Sequence, residues 1–431
     1  MINLENCQRK MRSIILLLIA TITTTWISAC QPQSEPDLID TVASLVAENH
    51  YDQALHGVDW KTIHKKYKAL IKSSHSKSES ILLMDQMLQE LGDSHCGVGD
   101  LTDIERATSP YLFGEASVGL DLRLIEGEAV VTQVEDNSPA DNAKMRPGHV
   151  LKSIDGIPVS DIIAKASLRP PFTDANRKFH QTRTLLWQLY GRPGTKVSIV
   201  FSDPEHTTTQ LVLNRKRRTG GMRLFPNLPI AFLTREARAL EGGIQYLGFN
   251  AFQPDNPTEL ISTLDSLDPN APLIIDLRGN EGGSARATSQ ILSRFVQHRM
   301  PVYDRVGRDD TVTVYAEPAG LFHQGEVVVL TDEMSISAAE NLAGIMQHAR
   351  LATIVGSRTP GQLLWGEGFP VSETVMAVIP TARVVYPDGS EIEGRGLIPD
   401  IEVPLNRDEL YRGIDKQLVT AVNFLKAENL K

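Results

Sequence analysis

The chain has 431 residues, 41% of them hydrophobic and 22% charged, with a formal net charge of −10. That length gives room for two or three domains and a sizeable core, and the apolar and charged fractions are those of an ordinary globular protein. The acidic balance argues against nucleic acid as a partner, and three cysteines are too few for a disulfide framework.

The first segment reads as a targeting signal, residues 1–30. Arg9, Lys10 and Arg12 are followed by an apolar run over residues 14–22, too short for a comfortable membrane span. Ile27-Ser28-Ala29-Cys30 then resembles the bacterial lipobox, in which cleavage leaves Cys30 as an acylated N-terminus. Met11 is an alternative start that leaves this reading intact. An ordinary secretory signal with an incidental cysteine is the competing reading. Gln31 rather than Asp follows the cysteine, and by resemblance this leans towards the outer membrane. The expected location is therefore the bacterial cell envelope, lipid-anchored and facing the periplasm.

Residues 31–37 form a polar tether. Residues 38–112 read as a helical domain, with apolar positions at Ile39, Val42, Leu45, Val46, Leu70, Ile81, Leu82, Met87 and Leu91 and a helix stop at Gly92. Its histidines His50, His56, His64 and His75 have no metal-ligand spacing and read as surface or packing residues. After the stop comes Asp93-Ser94-His95-Cys96, where His95 could act as a general base. Cys96 reads as buried and structural.

Residues 113–217 change to short strands and turns. They contain Gly119-Leu120-Asp121-Leu122, Ser138-Pro139-Ala140 at a helix start, Arg146-Pro147-Gly148-His149, and a hairpin at Asp155-Gly156. An extended insertion over residues 162–180 precedes a helix at 182–190. These ordered features resemble a PDZ domain. The resemblance implies binding by strand addition, with backbone N–H groups near Gly119 and Leu120 holding a terminal carboxylate; a spacer or lid is the alternative. The basic run Arg215–Arg218 reads as a solvated linker.

Residues 218–431 read as an α/β core. Apolar strands at 273–277, 327–330 and 352–355 alternate with helices at 260–267, 286–297 and 338–349, which calls for a largely parallel sheet covered by helices. Between the first strand and its helix lies Asp276-Leu277-Arg278-Gly279-Asn280-Glu281-Gly282-Gly283. It is neither a Walker loop nor a dinucleotide fingerprint. Its glycine pair allows close backbone approach to a reacting group, or simply makes a tight turn. Ser337 sits where a strand hands over to a helix N-terminus, a favourable place for a nucleophilic hydroxyl. With Glu340 it also fits a capping box that needs no chemistry.

Together, the Asp-Leu-Arg block at 276–283, the Ser-x-Ser-Ala-x-Glu block at 335–340 and Glu393-Gly394-Arg395-Gly396 through Pro399-Asp400 resemble the C-terminal-processing, or tail-specific, serine peptidases with a tricorn-like core. The resemblance implies a multidomain α/β protein, with a helical N-terminal domain, a PDZ-like domain and a core of the ClpP/crotonase-like kind. In one branch of the family a lysine serves as base, but here Gln362 stands at that place and cannot. The tricorn-like branch uses Ser, His, Ser and Glu. The implied roles are Ser337 as nucleophile, His95 as base, Ser94 and Glu393 as the relay, and the N–H groups of Gly282 or Gly283 and of Ala338 as the oxyanion hole. Glu391 competes with Glu393, and Glu340 is expected to cap or support. No metal or organic cofactor is required. The partners implied are protein or peptide substrates and, through Cys30, the membrane. A binding protein for peptides or hydrophobic ligands, without catalysis, remains the second reading.

Overall fold

The computed structural model describes residues 35–100, 114–166, 173–219, 221–223, 230–252 and 258–428. The signal segment and Cys30 lie outside the described residues. Among the described residues no helix is long and apolar enough to cross a membrane.

The described residues open with the helices α1 (Glu35–Asn49), α2 (Trp60–Ile71) and α3 (Lys77–Gln89). Asp59 and Ser76 cap α2 and α3 by accepting N–H groups of their first turns. Gly92 follows α3 at φ 81°, the left-handed stop expected there. The helices do not close a core of their own. Strand β1 (Gly97–Asp100) pairs with a strand of the C-terminal half, Gly97 opposite Val378, and Val371, Val375, Ala377 and Ile379 join Ile39, Val42, Met84 and Leu88 in one cluster. Three short amphipathic helices expose too much apolar surface to stand alone, so this region is packed onto the core.

The PDZ-like unit consists of strands β2 (Ala116–Ser117), β3 (Leu120–Ile125), β4 (Glu128–Val134), β5 (Val150–Ile154), β6 (Ile157–Pro158), β7 (Lys196–Ser202), β8 (Thr208–Asn214) and β9 (Lys216–Arg217). The main sheet runs β3-β4-β5-β7-β8, so β3 is an edge strand. Helices α4 (Pro139–Asn142), α5 (Val159–Ala166) and α6 (Asp174–Leu189) accompany it. The insertion expected over 162–180 is therefore substantially helical: α6 begins at a Thr173 cap that accepts the Asn176 N–H. In the basic run Lys216 and Arg217 are exposed, and Arg215 is half-buried. Its guanidinium donates to the carbonyls of Gln188 and Leu189, closing the C-terminus of α6.

In the core, β10 (Gly221–Arg223) pairs with β11 (Ile230–Phe232). The main sheet has the order β12-β13-β14-β17-β18-β21, built from Arg235–Ala239, Gln245–Phe249, Leu273–Asp276, Val327–Thr331, Thr353–Gly356 and Ile401–Glu402. All its pairings except β12 with β13 are parallel. Alternation sorts its side chains. Leu273, Ile275 and Val329 face α7 (Thr258–Ser266), α8 (Ala285–Leu292) and α9 (Ala338–His348). Ile274, Val328 and Leu330 face Ala421 and Leu425 of α11 (Lys416–Glu428), which comes after α10 (Arg407–Tyr411). A second, antiparallel sheet was not foreseen: β15 (Met300–Gly307), β16 (Thr311–Ala316), β19 (Leu364–Pro370) and β20 (Val375–Val385), with β1 at its edge.

Candidate active site

The loop that carries Ser337 begins where β17, buried along its whole length, runs out at Thr331. Asp332 organises the loop: its Oδ1 accepts the N–H groups of Gly279 and Met334 at 3.0 and 2.9 Å, and its Oδ2 takes the Arg123 Nε–H at 2.8 Å. Ser335 Oγ donates to the Leu277 carbonyl at 2.7 Å. Ser337 is thereby delivered to the first turn of α9 at φ 57° and ψ −118°, a strained conformation for a residue with a Cβ. Its N–H donates to the Gln362 carbonyl and to Glu340 Oε2 at 3.0 and 3.2 Å. Glu340 also accepts from Thr359, Gly361 and Gln362, so it fixes the turn at 359–362 against Ser337.

The Ser337 hydroxyl lies 3.0 Å from His95 Nε2. His95 Nδ1 is 2.9 Å from Ser94 Oγ, which donates to Glu393 Oε2 at 2.8 Å. The Glu393 carboxylate further accepts the N–H of Ser94 at 3.0 Å and of Leu363 at 2.6 Å. Because Ser94 spends its one proton on Glu393, it accepts from His95 Nδ1–H. That leaves Nε2 to accept the Ser337 proton. His95 itself has φ 51°, and β19 approaches it closely enough that a Cβ at Gly366 would stand 3.0 Å from the His95 Cβ. Glu391 pairs instead with Arg383 at 2.6 Å.

Gly282 is pressed against Ser337. A Cβ there would meet the Ser337 Cβ at 2.6 Å and the Ala338 nitrogen at 2.9 Å. Its N–H, however, donates to the Asn280 side chain at 2.9 Å, so this amide is occupied. The N–H groups of Gly283 and Ala338 have no hydrogen-bond partner among the described residues. In the PDZ-like unit Gly119 has φ 77°, its N–H faces Ser117 Oγ at 3.3 Å, and Leu120 opens the edge strand β3.

Burial sets the electrostatics. It lowers the His95 pKa to about 4, so the imidazole is neutral over the physiological range. Burial raises Glu393 to about 8 against the three donors that favour its anion. Glu340 is likewise raised to about 7, and Glu281, next to Gly282, is raised to about 7 with neither carboxylate oxygen hydrogen-bonded.

Residues 243–403 match the family described as Peptidase family S41, residues 39–89 the tricorn protease C1 domain and residues 130–168 a PDZ domain. The chain carries a peptidase family S41 core over residues 243–403. It is a serine-type peptidase. A carboxyl-terminal-processing protease of Picosynechococcus is 24% identical over 90% of this chain and 88% of its own. CtpB, a carboxy-terminal processing protease of Bacillus subtilis, is 21% identical over 86% of this chain and 72% of its own. The fold is shared with the photosystem II D1 C-terminal processing protease, with a TM-score of 0.55 at 21% identity, covering 86% of this chain and 93% of the other. It is also shared with mature CPAF, with a TM-score of 0.61 at 15% identity, covering 90% and 95%.

In this S41 peptidase the sequence motifs brought Ser337, His95, Ser94 and Glu393 to attention, and the structure places their side chains in one chain of contacts. Sequence reasoning missed Arg123 and Asp332, which hold the nucleophile loop. Asp332 accepts the N–H of Met334 two residues on, an Asx-turn of the kind aspartate favours in any sequence. Nothing near Arg123 marks a partner 209 positions away.

Proposed function

We propose that this peptidase is a tail-recognising serine endopeptidase of the Ser-His-Ser-Glu kind, cleaving proteins or peptides through an acyl-enzyme on Ser337. The reading is carried by the unbroken hydrogen-bond path from the Ser337 hydroxyl through His95 and Ser94 to Glu393.

Ser337 Oγ attacks the scissile carbonyl carbon while its proton passes to His95 Nε2, since an unassisted hydroxyl is a poor nucleophile at neutral pH. In the form with Glu393 ionised, Ser94 and Glu393 orient the ring and stabilise the imidazolium. The tetrahedral oxyanion accepts hydrogen bonds from the Gly283 and Ala338 N–H groups, each worth about 10²–10³ in turnover. His95 Nε2–H then protonates the leaving amine, the C–N bond breaks, and the first product departs. Water, deprotonated by the same nitrogen, cleaves the ester and frees Ser337. A substrate tail adds to the edge strand β3 of the PDZ-like unit, its carboxylate near Gly119 and Leu120. The names of the carboxyl-terminal-processing relatives support this tail preference.

Ser337→Ala should abolish hydrolysis without lowering the melting temperature, and a fluorophosphonate should label the wild-type chain at Ser337. An unlabelled wild-type protein would favour the non-catalytic binding reading. Amidating the C-terminus of a peptide substrate should raise KM and leave kcat nearly unchanged.

The pattern of basic, apolar and small residues ahead of Cys30 supports lipidation there and anchoring in the bacterial cell envelope, at the outer membrane facing the periplasm. Cys30→Ser should release the protein from the membrane fraction.

A further inference from the structure

His50, buried and stacked on Tyr51, and His56, at a half-exposed position, take no part in the peptide chemistry. Both turn to Asp93, the residue before Ser94. His50 Nε2 stands 2.8 Å from Asp93 Oδ2, and His56 Nε2 stands 3.0 Å from the same oxygen. One ligand atom from each of the three residues falls within 4.8 Å of the other two. His50 is fully buried, and the Asp93 and His56 side chains are 5% and 37% exposed. The group borders a cavity of about 680 Å³, whose wall includes Tyr51, Asp52, His56, Asp93 and Glu393.

We propose that His50, His56 and Asp93 form a binding site for a divalent ion of the zinc class. Two imidazole nitrogens and one carboxylate oxygen suit Zn²⁺ and its neighbours, whereas Ca²⁺ and Mg²⁺ demand oxygen shells. Ligand atoms at about 2.0–2.2 Å from a tetrahedral zinc stand about 3.3–3.5 Å apart. The two histidine–carboxylate contacts, at 2.8 and 3.0 Å, need to open by about half an ångström to reach that spacing, and the two imidazole nitrogens lie within 4.8 Å of each other.

The far side of each ring supplies the second, independent observation. A metal-bound histidine donates its other N–H to a carbonyl or carboxylate. His50 Nδ1 lies 3.0 Å from the Asp52 carbonyl, and His56 Nδ1 lies 3.3 Å from Asp52 Oδ2. His50 Nδ1 also lies 3.0 Å from the Asp52 N–H, so Nδ1 has a partner in either tautomer, and with Nδ1–H donating to the Asp52 carbonyl the Nε2 lone pair is free to bind a metal. Asp52 in turn accepts the N–H groups of Ala54 and His56, which holds His56 at φ 54° with its ring turned inward. Asp93 is steadied by the Tyr51 hydroxyl at 3.1 Å. The fourth coordination position opens to the cavity, where a water can complete the shell. Bound metal would tie the end of α1, the turn at 55–57 and the loop that presents Ser94 and His95.

This inference concerns binding and does not rest on the peptidase reading. Its test is titration of the chelator-stripped full chain with Zn²⁺ by calorimetry and with Co²⁺ by its visible d–d absorption. One ion per chain and tetrahedral cobalt bands are expected, and the melting temperature should rise with Zn²⁺. His56→Ala, at a half-exposed position, should weaken binding at least tenfold and remove the thermal shift. Asp52→Asn, which alters only the outer partner, should weaken it about 10–100-fold. His75→Ala, at an exposed residue elsewhere on the surface, should change nothing. Absence of saturable binding in the wild type would overturn the proposal, as would affinity unchanged in both His56→Ala and Asp52→Asn, which would place the ion at another histidine such as His95.

Discussion

At the residue scale, the direction of the proton relay depends on the charge of Glu393. As an anion, Glu393 can only accept from Ser94, which fixes His95 with its proton on Nδ1 and a free Nε2 facing Ser337. As a neutral acid it can donate to Ser94 instead, and the reversed chain puts a proton on Nε2, where it blocks the nucleophile. Burial holds Glu393 near 8 and His95 near 4. The base is thus unprotonated throughout the neutral range, and kcat/KM should rise with pH through about 8 as Glu393 ionises. It should show no step near 6.5, where an unburied histidine titrates. Glu393→Gln removes at every pH the anion that holds the chain in the productive direction and supplies an N–H₂ that can reverse it. It should lower kcat by about 10²–10⁴, the cost of a wrong tautomer, and erase the alkaline rise. A variant that keeps the wild-type pH profile would show that another group sets it.

At the element scale, the strand-to-helix junctions after β14 and β17 face each other, and each supplies what the other lacks. The first junction provides a loop without side chains at Gly282 and Gly283, and the second provides Ser337 and the Ala338 amide. Gly282→Ala would put a methyl 2.6 Å from the Ser337 Cβ at φ 79°. Strain and overlap together should cost about 1–3 kcal/mol, seen as a lowered melting temperature, and turnover should fall at least about 10²-fold because the oxyanion donors move with the loop. These junctions were legible in the sequence because continuous apolar strands such as Leu273–Asp276 and Val327–Thr331 announce themselves by composition, and glycine and serine mark the turns. The antiparallel sheet was not legible. Val375–Val385 alternates buried and part-exposed residues but is interrupted by Pro380 and Thr381, and its partners β1 and β15 lie far away in the chain. The choice between Gly282 and Gly283 as oxyanion donor was equally hidden, since it turns on where the Asn280 side chain points. The His50–Asp93–His56 group escaped for the same reason: its members are brought together by a turn at 55–57 that sequence spacing does not reveal.

At the scale of the whole molecule, the PDZ-like unit is built into the nucleophile's support. Met334 lies in its apolar cluster with Ile336 packed alongside, and Arg123 of β3 makes a buried ion pair with Asp332 at 2.7 Å. Replacing Arg123 with leucine leaves a buried carboxylate without its cation, a change that typically costs about 3–5 kcal/mol. Since Asp332 also holds the Gly279 and Met334 amides, Arg123→Leu should lower kcat in parallel with the melting temperature, although the substitution lies in a different structural unit from Ser337. Glu281 sits at the same junction, within the field of Arg123, Arg183 and Arg218, yet burial dominates and raises it from an ordinary 4.5 to about 7. Between those values the folded protein holds a proton that the unfolded chain has lost. Its contribution to stability is therefore full below about 4.5 and declines as pH rises towards 7. Glu281→Gln removes this dependence. The variant and the wild type should melt together near pH 4.5, and above pH 7 the variant should melt at the higher temperature. Melting curves that stay parallel across that range would mean that Glu281 is ionised in the folded protein, with the three arginines outweighing its burial.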